Sequence, residues 1–358
     1  MPSALPKPVL PPSCVLVTGA NGFIAQHCVA LLLSEGYHVI GTVRSQAKVG
    51  QVLDLHGRNL NLSVVVVEDI TSVDSYLSAL QQPSSGPDAI LHLAAPFHYN
   101  TTDLENDLMI PAVRGSTAVL DAARSWGTVR RVVHTNSFAG IYDAAKGPQP
   151  GKVYTAEDWS PLTYEDGVRA PAAAVAYRAS KAVAEKAAWK WMEDNASAAT
   201  TFDLVSLNPA MVFGAFLPGA APRTPEQLNT SNQIVYGVVS AGADGAVPPT
   251  RGPVWVGVRD VALAHVRALQ VPGAGGGRFM LAAGVYCNQE IADVAREVAG
   301  KKHAGDIPRG TPGAREADSH FGVDAGETER VLGIKWQGLR EVLSELLPQL
   351  FEIQERGA

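Results

Sequence analysis

The sequence contains little of what disulfide-stapled, membrane-spanning or nucleic-acid-binding proteins require. Its three cysteines, Cys14, Cys28 and Cys287, are far apart and match neither a disulfide framework nor the spacing of metal ligands. It has no run of about 18 apolar residues, the length of a transmembrane helix. The formal net charge is -6, and no basic stripe suits a nucleic acid. We therefore expect a cytoplasmic protein with no metal site and neither a nucleic acid nor a membrane as partner.

What the sequence does contain is typical of a soluble α/β protein. Hydrophobic residues make up 46% of the 358 residues and charged residues 18%, which suits one large domain or two joined lobes. The first twelve residues, MPSALPKPVLPP, hold five prolines. Such a composition cannot form the apolar core of a signal peptide, so we predict a flexible, extended arm at residues 1–12.

Short β-branched runs alternate with helical patterns through the first half of the chain. The predicted strands cover residues 14–20, 37–44, 62–69, 88–95 and 130–137. The run at 62–69, LSVVVVED, is continuously apolar at its centre, which is typical of a strand buried on both faces. Strands that alternate with helices predict a doubly wound parallel sheet with helices on both faces, a Rossmann-type α/β fold.

Two glycines lie between the first strand and the helix that follows it. The stretch VTGANGFIAQH places Gly19 and Gly22 where the backbone would approach a phosphate closely. A helix N-terminus offers unpaired N–H groups and a positive dipole to such a group. An ordinary strand-to-helix turn is the alternative, but strand, glycines and helix occur in the order that a dinucleotide site requires.

The end of the second strand indicates which dinucleotide is bound. Sites selective for NAD place a carboxylate there, about 20 residues past the glycines, to bind the ribose 2′-hydroxyl. This chain has GTVRSQAK instead, with Arg44 and Lys48. A guanidinium can bond a 2′-phosphate bidentately, so NADPH is the predicted cofactor.

The second half of the chain is less regular, and its pattern suggests a second lobe. Residues 173–195 are helical and 202–209 form a sixth strand, whereas 209–253 is rich in glycine, proline, serine and threonine. We predict a dinucleotide-binding domain over 13–208, to which 254–270 returns. A smaller C-terminal substrate lobe would comprise 209–253 and 271–358.

A tyrosine and a lysine in AYRASK are the strongest candidates for chemistry. Tyr177 and Lys181 lie four residues apart in a helical pattern and therefore share one face. Free tyrosine titrates near pH 10, and a nearby ammonium stabilises the phenolate, so Tyr177 could exchange a proton near neutral pH. Ser137 ends the fifth strand, at the sheet edge where ligands bind, and could hold a carbonyl oxygen.

Taken together, these motifs resemble the extended short-chain dehydrogenases/reductases. The chain is most similar to the NADPH-dependent aldehyde, ketone and methylglyoxal reductases, which group with dihydroflavonol reductase and cinnamoyl-CoA reductase. The resemblance covers nearly everything after the proline-rich arm. It rests on TGANGFIAQH (18–27), VRSQAK (43–48), HLAAP (92–96), AYRASK (176–181) and LNPAMVFG (207–214), among other stretches. At the fifth strand the chain departs from the usual pattern, because Asn136 precedes Ser137.

The resemblance implies a full set of site residues. The implied contacts of NADPH are Gly19, Phe23 and Ile24 at the pyrophosphate, Arg44 and Lys48 at the 2′-phosphate, Asp69 and Ile70 at the adenine, Ala94 and Ala95 at the ribose on the nicotinamide side, and Pro209 and Val212 at the nicotinamide. The implied catalytic set is Ser137, Tyr177 and Lys181, with Lys181 also bonding the ribose hydroxyls. Four phenylalanines are either an apolar substrate wall or plain core: Phe97, Phe138, Phe213 and Phe216.

The expected activity is reduction of a small aldehyde or ketone by NADPH, with Tyr177 as proton donor. A nucleotide-sugar epimerase or dehydratase of the same fold is one alternative. Dehydratases of this type place an acidic pair after the threonine of the fifth strand, where this chain has Asn136 and Ser137. An inactive NADP-sensing protein is another, although the tyrosine and lysine are both retained. The sequence leaves the carbonyl compound and the oligomeric state open.

Overall fold

The computed structural model describes residues 8–80, 86–95, 101, 103–196, 200–315 and 319–357. Within these residues, seven parallel strands form a central sheet with helices on both faces. Two smaller sheets have three strands and two strands. None of the helices in these ranges combines the length and apolarity needed to cross a membrane.

The elements follow the chain in this order. The first part contains β1 (Cys14–Thr18), α1 (Phe23–Ser34), β2 (His38–Val43), α2 (Gln46–Leu55), β3 (Leu62–Val66), α3 (Val73–Ala79), β4 (Ala89–His92), a π-helical turn (Glu105–Met109), α4 (Ile110–Trp126) and β5 (Arg131–Thr135). The middle contains β6 (Val153–Tyr154), α5 (Tyr164–Val168), α6 (Ala173–Asp194), β7 (Asp203–Pro209), β8 (Met211–Phe213) and α7 (Thr230–Val239). The last part contains β9 (Val254–Gly257), α8 (Val258–Gln270), β10 (Arg278–Leu281), β11 (Gly284–Val285), α9 (Asn288–Val298), α10 (Gly300–His303), β12 (Gly322–Val323), α11 (Gly326–Leu332) and α12 (Leu339–Gly357).

The strand order of the central sheet is β10-β7-β5-β4-β1-β2-β3. This is a Rossmann-type order, so the predicted fold class is confirmed. The order reverses between β1 and β4, whose residues Thr18 and His92 lie opposite each other. In open α/β sheets, ligands bind beyond the carboxyl ends of the strands at such a switch point. The topology therefore places a site next to Thr18.

Alternation along β1 explains why both faces of the sheet are covered. Val15 and Val17 pack in one hydrophobic cluster with Val29 of α1, whereas Leu16 packs in another with Val119 of α4. Successive side chains of a strand point to opposite faces, so a strand of apolar residues needs helices on both sides. Each such buried side chain contributes about 1.5–3 kcal/mol.

The prediction for residues 62–69 was wrong about burial. β3 is the last strand of the sheet and pairs only with β2 within it. Leu62 is buried, Ser63 is exposed, and Val64, Val65 and Val66 are half-buried. A run of valines is compatible with an edge strand as well as with an inner strand. Composition alone therefore did not show where β3 lies in the sheet.

The proline-rich segment is anchored where the structure describes it, contrary to the prediction of a flexible arm. Val9 is fully buried, and its N–H donates to the carbonyl of Leu269, 2.9 Å away. The Tyr37 hydroxyl donates to the Val9 carbonyl over 2.9 Å, and Arg130 donates to the Pro8 carbonyl. One apolar residue between prolines thus fills a gap beside α1 and α8. Residues 1–7 lie outside the described part of the chain.

The predicted division into lobes needs a correction at two strands. β10, which was assigned to the substrate lobe, pairs in parallel with β7 and ends the central sheet. β9, which was expected to return to the first domain, instead pairs with β8 and β11. Helix α8 does return and packs against α1. The segment 209–253, predicted as loops and short helices, also contains β8 and the ten-residue helix α7.

Candidate active site

The glycine turn between β1 and α1 lies against the end of β4. Gly19 has φ +65°, and a Cβ there would lie 3.2 Å from the Cα of Ala94. Its N–H donates to the Thr42 hydroxyl over 3.2 Å, and the Gly22 N–H donates to the Gly19 carbonyl over 2.8 Å. A side chain at position 19 would be strained in conformation and crowded by backbone. Glycine keeps the turn open to a ligand.

Helix α1 presents an uncapped N-terminus to the same space. Gly22 is the N-cap and provides no side-chain bond to the first turn, so the N–H groups that begin the helix remain available. Phe23 and Ile24, the first two residues of the helix, line the cavity described below. Backbone donors and the helix dipole together make a site for an anion.

The residues predicted for the adenosine end lie at the carboxyl ends of β2 and β3. Arg44 directly follows β2 and is exposed, as is Lys48 in the first turn of α2. Asp69 is exposed and its carboxylate accepts bonds from the backbone and hydroxyl of Thr71, at 2.8 and 2.7 Å. Ile70 is half-buried. The two cations are accessible to an anionic group at this edge.

A cavity of about 480 Å³ begins at the glycine turn and runs to the second lobe. It brings together most of the predicted site residues. Those that line it are Gly19, Gly22, Phe23, Ile24, Ala95, Ser137, Phe138, Tyr177, Lys181, Pro209 and Val212. Ala94 contacts Gly19 and lines a water-sized recess beside Lys181. Phe97 lies outside the described residues.

Tyr177 and Lys181 share one face of α6, and Lys181 is buried. The Lys181 Nζ lies 5.7 Å from the centre of the Tyr177 ring. Burial lowers the pKa of the Lys181 ammonium to about 8, because charge is disfavoured away from water. The amine is nevertheless protonated through most of the neutral range, and it faces a tyrosine that such a charge would help to ionise.

This lowered pKa predicts a basic limit to activity. Below about pH 8 most Lys181 amines carry a proton, whereas above that pH they lose the charge that would stabilise a Tyr177 phenolate. We expect kcat/KM for NADPH, which reports groups of the free enzyme, to fall about tenfold for each pH unit above that value. A profile that stays flat to pH 10 would contradict this role. Lys181→Met should remove the basic limb from whatever activity remains.

Two buried histidines lie beneath Lys181 and stay neutral. Burial and the nearby Lys181 charge lower the pKa of His134 to about 3, and that of His92 is also well below its usual range. The ring of His92 stacks on that of His134 at 5.7 Å, and the Thr18 hydroxyl lies 3.0 Å from the His92 ring. Because these rings carry no charge at neutral pH, Lys181 can keep its own.

Ser137 caps the 3-10 turn that follows β5. Its oxygen accepts a bond from the N–H of Ala139 over 3.2 Å. This bond uses a lone pair of the oxygen, so the hydroxyl hydrogen can be donated to a ligand in the cavity that Ser137 lines. The sequence placed this residue correctly at the carboxyl edge of the sheet.

A buried network beside Ser137 was not predicted. Glu185, fully buried on α6, accepts bonds from Arg278 at two nitrogens, both 2.9 Å away, and from Asn136 at 2.8 Å. Ser206 and Asn208 donate to the same carboxylate. The network joins α6, the helix that carries Tyr177 and Lys181, to β7, β10 and the end of β5. Asn136, a departure from the family pattern, is thus a fixed element of the strand end that carries Ser137.

Of the phenylalanines proposed for a substrate wall, the structure places only Phe138 on the cavity among those it describes. Phe213 is fully buried and packs against Tyr286 and Trp255, at 5.1 and 6.0 Å between ring centres. Phe216 packs behind Phe23 at 5.0 Å. Both belong to the core of the second lobe, so the alternative reading, plain core, holds for Phe213 and Phe216.

Several residues of the cavity wall were missed by sequence reasoning. They include Tyr142, Ala174, Arg178, Met211, Pro253, Val254 and Phe321. Helical spacing from Tyr177 and Lys181 could have indicated two of them, since Ala174 and Arg178 share that face of α6. Phe321 directly precedes β12 and belongs to no recognised motif, so only the fold brings it to the site.

A parallel sheet in Rossmann order, a glycine turn at its switch point and a Tyr-Lys pair on a helix above it define an extended short-chain dehydrogenase/reductase. The model of the NAD dependent epimerase/dehydratase family matches residues 15–282, and the chain belongs to that family. The resemblance drawn from the motifs is therefore confirmed.

Curated relatives cover nearly the whole chain. The NADPH-dependent methylglyoxal reductase GRE2 of Saccharomyces cerevisiae is 35% identical over 96% of this chain and 99% of its own. The ketoreductase azaE of Aspergillus niger is 35% identical over 94% and 97%. Cinnamoyl-CoA reductase CAD2 of Medicago truncatula is 32% identical over 79% and 80%.

Solved structures agree with this assignment. The yeast methylglyoxal/isovaleraldehyde reductase Gre2 complexed with NADPH superimposes with a TM-score of 0.88, at 34% identity over 96% of this chain and 99% of that one. Gre2 of Candida albicans in complex with NADPH gives a TM-score of 0.88 at 35% identity, over the same shares.

Proposed function

We propose that this protein is an NADPH-dependent reductase of a small aldehyde or ketone, with Tyr177 as the proton donor. The single observation that carries the proposal is the cavity that holds the glycine turn, Ser137, Tyr177 and Lys181 on one surface. The reductase relatives support the reaction class, and the Gre2 structures complexed with NADPH support the cofactor.

The residues present suit NADPH. The Gly19 turn leaves room where a Cβ would crowd Ala94, and the uncapped start of α1 suits a pyrophosphate. Arg44 and Lys48 are exposed cations where NAD-selective sites have a carboxylate. Asp69 and Ile70 would flank the adenine, and Pro209 and Val212 the nicotinamide. When bound, NADPH supplies the hydride that reduces the carbonyl carbon.

The chain's own residues supply position and the proton. Ser137 donates its hydroxyl hydrogen to the carbonyl oxygen, and Tyr177 transfers its phenolic proton to the same oxygen as negative charge develops there. Lys181 bonds the ribose hydroxyls and stabilises the phenolate that remains. Apolar residues around the cavity limit the access of water.

Replacing Arg44 tests the cofactor assignment. We expect the native enzyme to have a higher kcat/KM with NADPH than with NADH. Arg44→Gln should lower the ratio of these two values about 10- to 100-fold, because a hydrogen bond between charged groups contributes about 1.5–3 kcal/mol. Arg58→Gln, at another exposed arginine, is the control and should leave the ratio unchanged. A native preference for NADH would overturn the assignment.

The structure gives no support to a dehydratase. Such an enzyme needs a carboxylate in the cavity after Thr135, and that position is Asn136, whose amide is bonded to Glu185 and Asn208. Glu185 itself is fully buried and bonded to Arg278, and it is not part of the cavity wall. An inactive NADP-sensing protein would retain cofactor binding without turnover.

The experiment that separates these functions is direct. Purified protein is mixed with NADPH and a panel of aldehydes and ketones, and the loss of NADPH absorbance is followed. Carbonyl-dependent loss supports the reductase. Binding of NADPH without any loss across the panel favours the sensing protein.

We also propose a cytosolic location, which the three free cysteines support, because secreted proteins of oxidising compartments tend to pair theirs. A fluorescent fusion followed by microscopy tests it, and a signal confined to an organelle or to the cell surface would contradict it.

A further inference from the structure

An arginine lies on the cavity side of the catalytic helix, next to the tyrosine. Ala174, Tyr177, Arg178 and Lys181 follow the spacing of one helix face, and all four line the cavity. Of the described residues that line this cavity, none is aspartate or glutamate. The described part of the wall around Arg178 thus provides positive charge and no carboxylate to neutralise it.

Arg178 is incompletely satisfied by the protein. Its Nε is buried and has no hydrogen-bond partner within the described ranges. The Tyr142 hydroxyl lies near this guanidinium: burial raises the pKa of Tyr142, and the charge and hydrogen bonding of Arg178 oppose that rise. A guanidinium has five N–H donors, and leaving a buried one unpaired costs free energy.

The surroundings place this charge on the substrate side of the site. The Tyr142 ring stacks on Phe138 at 5.0 Å, and Phe138 directly follows Ser137. In the proposed binding mode the phosphates of NADPH lie elsewhere, on the start of α1 and beside Arg44. Lys181 is assigned to the ribose. Of the basic side chains in the described lining of the cavity, Arg178 is therefore the one that remains for the molecule being reduced.

We propose that Arg178 binds a carboxylate of the substrate, so that the preferred substrate is an oxo acid. This inference rests on the proposed function. The planar guanidinium can bond both oxygens of a carboxylate, a match that a neutral ester or amide cannot make. The adjacent aromatic rings of Phe138 and Phe321 favour an apolar group on the same molecule.

The test compares an oxo acid with its own methyl ester. With phenylglyoxylate and methyl phenylglyoxylate, we expect kcat/KM to be at least about tenfold higher for the acid. Arg178→Met should reduce this ratio to about one, and Arg178→Lys should keep part of it. Arg169→Met, at an exposed arginine outside the cavity wall, is the control and should leave the ratio unchanged. A ratio that is the same in the native enzyme and in Arg178→Met would overturn the inference, because a merely structural arginine would affect both substrates equally.

A binding measurement separates this inference from the reductase proposal. Phenylacetate and phenylacetamide, which are not reduced, are titrated calorimetrically into the enzyme with saturating NADPH. Tighter binding of phenylacetate in the native protein, lost in Arg178→Met, supports the carboxylate site even if no carbonyl compound is turned over. Equal affinity for the two compounds would contradict it, whatever the turnover experiments show.

Discussion

Tyr177→Phe is expected to lower kcat by about 10²- to 10⁴-fold, the range over which a positioned proton donor acts. The change removes one oxygen and retains the ring that lines the cavity beside Lys181. The proposed NADPH site includes many other residues, so the dissociation constant of NADPH should change little. Steady-state kinetics and a fluorescence titration of NADPH together separate loss of chemistry from loss of binding.

The control for this variant is Tyr76→Phe. Tyr76 is fully buried in the core between α3 and the sheet, and its hydroxyl has no hydrogen-bond partner in the described structure. Removing that oxygen should leave kcat unchanged. If Tyr177→Phe retained kcat within about threefold of the native value, Tyr177 would not be the proton donor.

Glu185→Leu is expected to lower the free energy of unfolding by about 3–5 kcal/mol, the cost of leaving a buried partner charge uncompensated. The charge left behind is Arg278, whose side chain is 10% exposed. Arg278→Met alone likewise leaves the buried Glu185 carboxylate without its partner charge. The double variant should be more stable than the sum of the two single changes predicts, since neither charge remains. Urea denaturation of the four proteins measures this coupling.

An exposed ion pair serves as the control for the buried pair Glu185–Arg278. Asp54 and Arg58 are paired at 2.8 Å but more than 60% exposed, and Asp54→Asn should cost less than about 1 kcal/mol. If Glu185→Leu lowered the free energy of unfolding no more than Asp54→Asn does, the buried network would have no structural importance.

The same variant should also affect activity. Because Asn136 belongs to the buried network, Glu185→Leu should displace Ser137 and so reduce kcat more than it weakens NADPH binding.

Local pattern was enough for most of the central sheet. Neighbouring residues specify the first three elements. An apolar run predicts β1, a glycine that adopts φ +65° allows the turn, and a helical repeat predicts α1. Position within the sheet was harder to predict. β3 and β10 are the edge strands of the sheet. β3 pairs with β2 across a helical crossover, and β10 pairs with β7, which lies about 70 residues earlier in the chain. Burial of Val9 likewise depends on Leu269, a contact that no local rule indicates.

Some residues of the candidate site could likewise be predicted from local sequence, and others could not. Tyr177 and Lys181 are four residues apart, so a helix alone places them together. Ser137 could be placed because strands of a parallel sheet end at one edge. Phe321 and Tyr142 reach the cavity through the connections around β6 and β12, and no local pattern indicates either residue. Phe213 and Phe216 lie close to Val212 in the sequence, which suggested that they belong to the cavity wall. Their side chains instead pack in the core of the second lobe.

Transfer of a labelled hydride tests the central claim most directly. NADPH that carries deuterium at C4 of the nicotinamide, prepared separately with the label on each face, is incubated with the enzyme and a reactive carbonyl compound. For one of the two preparations, mass spectrometry should find the deuterium on the carbinol carbon of the product, and Tyr177→Phe should slow its appearance. If neither preparation delivers the label to that carbon, the protein is not a carbonyl reductase of the kind proposed.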